Sequence, residues 1–263
     1  MSRRSRVMGN RETGAVWLLL VATILSFAAS CTLVKENRTD CPCTLFLSLG
    51  ALPDDPVDVQ IFADAPNPCY RDCLDRDTTV RVWVPKRSIR VVGASGHPLE
   101  AWGGVGIPLG EDFPEVFLAC REVEATQDTA QCRLKLHKHF CTLSLQFDGP
   151  PGWGEPYSVQ IRGAVNGLYP DGSPSYGAFA HTLATGESCR LPRQDPEDEL
   201  WLDITLPQGV LRSFALGTYL ELAGFDWTAP DLKDVSLRID LSVTAVTLEI
   251  DHWSTTLPLD IVI

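Results

Sequence analysis

Basic residues are scarce in this chain. Its 263 residues hold 22 Lys and Arg against 34 Asp and Glu, a formal charge of −12. Four arginines and one glutamate precede residue 31, which leaves 18 basic and 33 acidic side chains, or −15, after it. An acidic chain of this kind repels phosphate backbones and anionic membrane surfaces. It has no basic stripe with interleaved aromatics, so nucleic acid is not expected as a partner. Catalytic signatures are missing too: there is no G-x-S-x-G elbow, H-E-x-x-H, P-loop or dinucleotide fingerprint. No enzyme activity, cofactor or metal is expected. Helix-period patterns are confined to Glu111–Leu118 and Pro68–Leu74, each enough for a turn or two. There is no repeat of solenoid period and no low-complexity segment. Beyond residue 31 no apolar run approaches the roughly eighteen residues of a spanning helix.

What is present begins with an export signal. Arg3, Arg4, Arg6 and Arg11 precede an uncharged run, Ala15–Ala29, and then Ala28-Ala29-Ser30-Cys31. That core is short for a membrane span, which needs about twenty residues. Small residues directly before a cysteine suit a lipoprotein signal peptidase. Residues 1–30 are therefore read as a signal peptide and Cys31 as the lipid-carrying first residue of the mature protein. An uncleaved anchor and a cleaved, non-lipidated leader are the rival readings. Each buried CH₂ of an acyl chain contributes roughly 0.8 kcal/mol, so two or three chains hold a domain on a membrane. Asn37-Arg38-Thr39 fits a glycosylation acceptor but is incidental beside such a signal.

Eight cysteines come after Cys31: Cys41, Cys43, Cys69, Cys73, Cys120, Cys132, Cys141 and Cys189. An even number in an exported chain points to disulfides. Free thiols and zinc are the alternatives, although the paired CxxC spacing of zinc ribbons is absent. Cys120 and Cys132 flank an acidic stretch that they could staple. Cys189 must pair across a domain boundary, pair with a partner, or stay free.

The remainder reads as strands. Period-2 alternation recurs at Leu45–Leu49, Val57–Ile61, Val80–Val84, Ile89–Val91, Leu134–Leu136, Leu143–Phe147, Val159–Ile161 and Leu200–Leu206. Near the C-terminus, Leu237, Ile239, Leu241 and Val243 hold odd positions, and Val246, Leu248 and Ile250 hold even ones. That flip near Ala245 requires a bulge or a break. Leu257–Ile263 forms a last strand, the segment best suited to pairing within or between molecules. The 19 prolines and 20 glycines fall mostly between strands. About a dozen strands so spaced predict an all-β chain of tandem β-sandwiches. Gly149-Pro150-Pro151-Gly152 divides a domain over 44–148 from one over 153–263, and residues 31–43 form a tether.

Weaker candidates are few. His137-x-His139, continued by Cys141, shares one strand face, more in keeping with an exposed face than a metal site. Asp195, Glu197, Asp198 and Glu199 suit a solvated loop better than calcium. Gly103-Gly104-Val105-Gly106 reads as a loop. Asn166-Gly167 and Asp171-Gly172 read as turns. Trp102, Trp153, Trp201, Trp227 and Trp253 could line a sugar-binding face or simply pack.

Cys31 followed ten residues on by Cys41-Pro42 resembles the mature start of FimB-type fimbrial subunits of the Bacteroides–Porphyromonas group. Ser88–Gly104, Val165–Gly172 and the run from Gly224-Phe-Asp-Trp227 through Asp231-Leu-Lys-Asp-Val235 to Trp253 are similar as well. The cysteine count exceeds that family's pattern. The resemblance implies two transthyretin-like (Greek-key) β-sandwiches on a lipid-anchored anchor or minor subunit at the cell surface. It would be held in the outer membrane through Cys31 and joined to fimbrial stalk subunits by strand exchange. The alternative reading is a glycan-binding surface lipoprotein of the same architecture.

Overall fold

The computed structural model describes residues 40–50, 55–64, 66–75, 78–97, 99, 111–148, 158–184, 186–205, 209, 211–240 and 245–258. Cys31, the signal segment, Gly103–Gly106, Gly149–Gly152, Trp102 and Trp153 lie outside them. From Cys41 onward the chain forms one compact unit.

Eight strands come first: β1 (Cys43–Leu49), β2 (Val57–Phe62), β3 (Tyr70–Leu74), β4 (Thr79–Val84), β5 (Ser88–Ser95), β6 (Phe117–Glu124), β7 (Thr129–Leu134) and β8 (His137–Lys138). They build a three-stranded sheet, β4-β1-β7, and a five-stranded sheet, β3-β2-β5-β6-β8. β1 runs antiparallel to β4 and parallel to β7. The alternation seen in the sequence sets the layers. Cys43, Leu45, Leu47 and Leu49 of β1 point inward with Val82, Val84, Cys132 and Leu134, and meet Val57, Val59, Ile61, Ile89 and Val91 of the facing sheet. Each such side chain, fully buried, contributes about 1.5–3 kcal/mol.

The second half holds β9 (Phe140–Asp148), β10 (Ser158–Leu168), β11 (Pro174–Leu183), β12 (Ser188–Pro192), β13 (Trp201–Thr205), β14 (Leu211–Phe214), α1 (Leu216–Leu222), β15 (Val235–Asp240), β16 (Ala245–Ile250) and β17 (Trp253–Pro258). Its sheets are β11-β10-β13-β14 and β12-β9-β15-β16-β17. Leu143, Leu145, Val159, Ile161, Leu202, Ile204, Leu237, Ile239 and Leu248 form its core. The chain is thus all-β in sandwich-like layers, as its alternation predicts. Phe140–Asp148, placed by sequence at the end of the first sandwich, pairs with β12 and β15 and contributes Leu143 and Leu145 to the second core.

The phase flip near Ala245 separates two antiparallel strands. β15 and β16 pair as Leu237↔Leu248 and Ile239↔Val246. Each pair joins an odd residue to an even one, so both strands bury one face only if their phases differ. β16 and β17 join through Asp251 and His252, whose φ values are 50° and 72°, with Ile250 paired to Trp253. Two left-handed residues in a two-residue loop make a type I′ hairpin turn.

Three local expectations are corrected. Pro68–Leu74 and Glu111–Leu118 form no helix: the first leads into β3, and the second is extended chain entering β6. The helix among the described residues is α1, whose Leu216, Tyr219 and Leu220 are buried at i, i+3 and i+4 spacing. Asn166-Gly167 is no turn; it lies inside β10 where the register to β11 shifts. Gly177 of β11 lacks the Cβ that would stand 2.3 Å from the Asn166 amide, so the side chain lies across the glycine.

Candidate functional site

The two cores meet at a seam threaded by residues 136–140. On one side His139 donates its N–H to the Val116 carbonyl at 3.2 Å, and Arg193 donates to the His139 carbonyl at 3.1 Å. On the other, the loop after α1 closes on β8. Leu232 donates to the Lys138 carbonyl at 3.0 Å. Asp231 accepts the Lys138 N–H at 2.9 Å and lies 3.1 Å from His137 Nδ1. Asp234 takes Lys138 Nζ and the Thr142 N–H, both at 2.7 Å. Burial alone would raise both carboxyls, but these bonds and charges hold them below the usual carboxylate range.

Arg193 is the centre of this seam. Its guanidinium donates to the carbonyls of Trp227, Ala229 at 2.8 Å and Pro230 at 3.1 Å. Its Nε faces His139 Nδ1 at 3.4 Å. Burial, then the Arg193 charge, push His139 down to about 4, so the ring is neutral near pH 7. The predicted His137–His139–Cys141 face is therefore divided. His137 is bonded to Asp231, His139 to Arg193, and Cys141 is in the second core. Among the described residues no cluster of His, Cys, Asp or Glu could hold a metal. Beside the seam Phe113, Val116, Phe140 and Leu168 form a small apolar cluster, with the Phe117 and Phe140 rings edge-on at 5.7 Å.

A cleft of about 1100 Å³ opens between the outer side of β2, β3 and β5 and the β10–β11 turn. Gln60, Asn67, Arg71, Arg90, Tyr169 and Asp171 are among its lining residues. Asp171-Gly172 forms the predicted turn, and Asp171 accepts from Ser173 N at 3.0 Å and Oγ at 2.6 Å. Burial would raise the Asp171 carboxyl; those bonds and the nearby Arg90 lower it. The cleft presents polar and charged groups beside the Phe62 and Tyr169 rings.

Among the described residues the sheet β12-β9-β15-β16-β17 ends at β17. Among the described residues β17 pairs with β16 alone. Its side chains are largely exposed, Trp253 at 70%, while Leu257 packs partly on the core. A bare edge offers its N–H and C=O groups to another chain. The predicted terminal strand Leu257–Ile263 is described only to Pro258.

Among the described residues Cys41, Cys43, Cys69, Cys73, Cys120, Cys132, Cys141 and Cys189 form no disulfide with one another in this structure. Cys141 pairs with Leu191 and Cys189 with Leu143. The two thiols are therefore diagonal neighbours, a spacing of roughly 7–8 Å that a disulfide does not bridge without backbone movement. Burial raises Cys132 to about 11 and Cys189 to about 12, so both stay protonated and unreactive. Of the tryptophans, Trp227 is buried. Trp201 lies under Arg162 at 5.1 Å and donates to Glu199. Trp201 and Trp227 both line a smaller cleft of about 520 Å³ beside the acidic loop, and Trp253 is not among its lining residues. Asp195, in the acidic loop, accepts from the Tyr176 hydroxyl at 2.7 Å.

No family model matches the sequence, and no curated protein matches it. Solved structures do match its fold. A Bacteroides thetaiotaomicron protein provisionally named as polysaccharide-binding superposes with a TM-score of 0.60 at 12% identity, over 82% of this chain and 98% of its own. A second protein of that organism, provisionally named an adhesin, gives 0.57 at 10% identity, over 84% and 99%. The fimbrial anchor protein Mfa2 of Porphyromonas gingivalis gives 0.54 at 13% identity, over 81% and 99%. At such identities the likeness is one of fold. The chain shares the all-β architecture of these proteins across nearly their whole length.

Proposed function

We propose that this chain is a lipid-anchored surface protein, the anchor or minor subunit of a fimbria. It is held in the outer membrane through a lipid on Cys31 and joined to stalk subunits by β-strand exchange. The observation that carries the reading is the superposition on a fimbrial anchor protein over 81% of the chain. The signal peptide and Cys31 give the same direction independently. The outer strand β17 suits β-augmentation, in which main-chain bonds give affinity and alternating side-chain pockets give register. Two sandwich domains divide at residues 137–139, with β9 in the second, after a tether that ends before Cys43 opens β1. Cys31→Ala, followed by membrane fractionation, mass spectrometry and fibre pull-down, tests the anchor. The intact protein is expected to carry acyl mass and to bring fibre subunits down with the membrane, and the variant to release them. An unacylated Cys31, or fibres that never co-purify, would overturn it.

A glycan-binding surface lipoprotein is the second reading, favoured by the polar cleft with Tyr169 on its wall. Glycan-array binding lost in Tyr169→Ala would select it.

A further inference from the structure

The first half carries an exposed sheet face remote in sequence from β17. The outer face of β4-β1-β7 carries nine side chains in three rows: Trp83, Thr44 and Thr129; Arg81, Phe46 and Gln131; Thr79, Ser48 and Arg133. No carboxylate is among them, in a chain of charge −12. Asp128, beside Thr129 in sequence, is paired with Lys86 at 2.6 Å. Arg81 lies 5.5 Å over the Phe46 ring. Trp83 is 78% exposed, more than any other large apolar side chain among the described residues.

The Trp83 row is also where the chain arrives from its N-terminal side. Thr44, opposite Trp83, follows Asp40–Cys43 directly. Nine residues separate Cys31 from Cys41, a reach of at most about 36 Å.

We propose that this face docks on the membrane surface in which the Cys31 lipid is held. Trp83 enters the boundary between headgroups and acyl chains, and Arg81 and Arg133 contact anionic headgroups. This rests on the lipid anchor proposed above. Tryptophan favours that boundary because its ring is apolar and its N–H is polar. Basic side chains near a leaflet are drawn to anionic lipid within a Debye length. That length is about 8 Å at physiological ionic strength, so the local charge of the face governs the contact and the acidic remainder of the molecule is screened. The short tether keeps the face at high effective concentration beside the lipid, so a contact too weak to recruit the protein alone still orients it.

The test uses the lipidated protein in vesicles of dioleoylphosphatidylcholine with dioleoylphosphatidylglycerol. The acyl chains carry bromine near the headgroup end, and tryptophan emission is the readout. Lipid-borne bromine is expected to quench the intact protein. Trp83→Phe should remove most of that quenching, Trp253→Phe should keep it, and Arg81→Glu with Arg133→Glu should reduce it. Both aromatic replacements are at exposed positions, so the fold is retained. Acylated protein whose Trp83 emission ignores the bromine overturns the docking face alone. Protection of Trp83 that appears without vesicles and grows with protein concentration also overturns it, in favour of a second copy. Protein without acyl mass overturns the anchor and the face together.

Discussion

Replacing Arg193 by methionine tests the seam directly. Methionine keeps most of the apolar stem and removes the guanidinium. Three carbonyls, of Trp227, Ala229 and Pro230, then lose a charged donor. Hydrogen bonds to charged groups contribute about 1.5–3 kcal/mol each. The three share one guanidinium, and Pro230 is exposed, so water replaces part of the loss. The expected destabilisation is about 3 kcal/mol. The compact unit starting at Cys41 spans about 220 residues, and in that size range each kcal/mol moves Tm by roughly 2–4 °C. Thermal unfolding followed by circular dichroism should therefore show a fall of about 6–12 °C. A second readout is independent of stability. The Arg193 charge helps hold His139 down, so in the variant the His139 imidazole should titrate closer to its usual 6.5 by NMR. A Tm change below about 2 °C, together with an unmoved His139, would refute the claim that this guanidinium binds the loop to the seam.

Acid stability should fall in two separate windows. His139 sits at about 4 in the fold against 6.5 ordinarily, so the unfolded chain binds the extra proton. Its contribution is complete above pH 6.5 and is lost as pH falls toward 4, on the order of 3 kcal/mol in all. Arg193, His137 and Asp231 all face the ring electrostatically, and His139→Gln should flatten that limb. Asp231 and Asp234 lie below the usual 3.8, so their contribution is lost only at lower pH, and urea titrations across pH will separate the two limbs. His252→Gly should stabilise the β16–β17 hairpin by about 0.5–1 kcal/mol, because glycine takes the left-handed φ of 72° without strain; a lower urea midpoint would contradict the turn assignment. Gly96→Ala should cost several times more, since its φ is +81° and the new Cβ would meet the Glu115 carbonyl oxygen at 1.8 Å, and loss of soluble expression or a much lower Tm is the measurement.

The strands were legible because each buries one face, and burial writes itself as alternation. Val80, Val82 and Val84 announce β4, and Leu237 through Ile250 announce a hairpin by their change of phase. The elements that escaped have signals of another kind. α1 is two turns long, so three buried residues at helical spacing are all its period can show. The Asp251-His252 turn lacks the glycine that usually marks a type I′ loop. The seam was invisible for a different reason. Arg193 and His139 are 54 positions apart, and Lys138 and Asp234 are 96; each partner alone looks like an ordinary solvated charge.

The same distance in sequence hides a repetition that bears on assembly. In the first half the opening strand β1 lies between an antiparallel neighbour, β4, and a parallel one, β7. In the second half the opening strand β9 likewise lies between antiparallel β12 and parallel β15. Each half thus folds by bringing a late strand back beside its first, a long-range closure that period-2 patterns cannot encode. Past the closing strand the halves differ. Among the described residues the first half's three-stranded sheet stops at β7, whereas in the second β16 and β17 extend the sheet further. The second half therefore carries an added hairpin beyond the shared closure, and its outer strand β17 is the one that the proposed strand exchange would use.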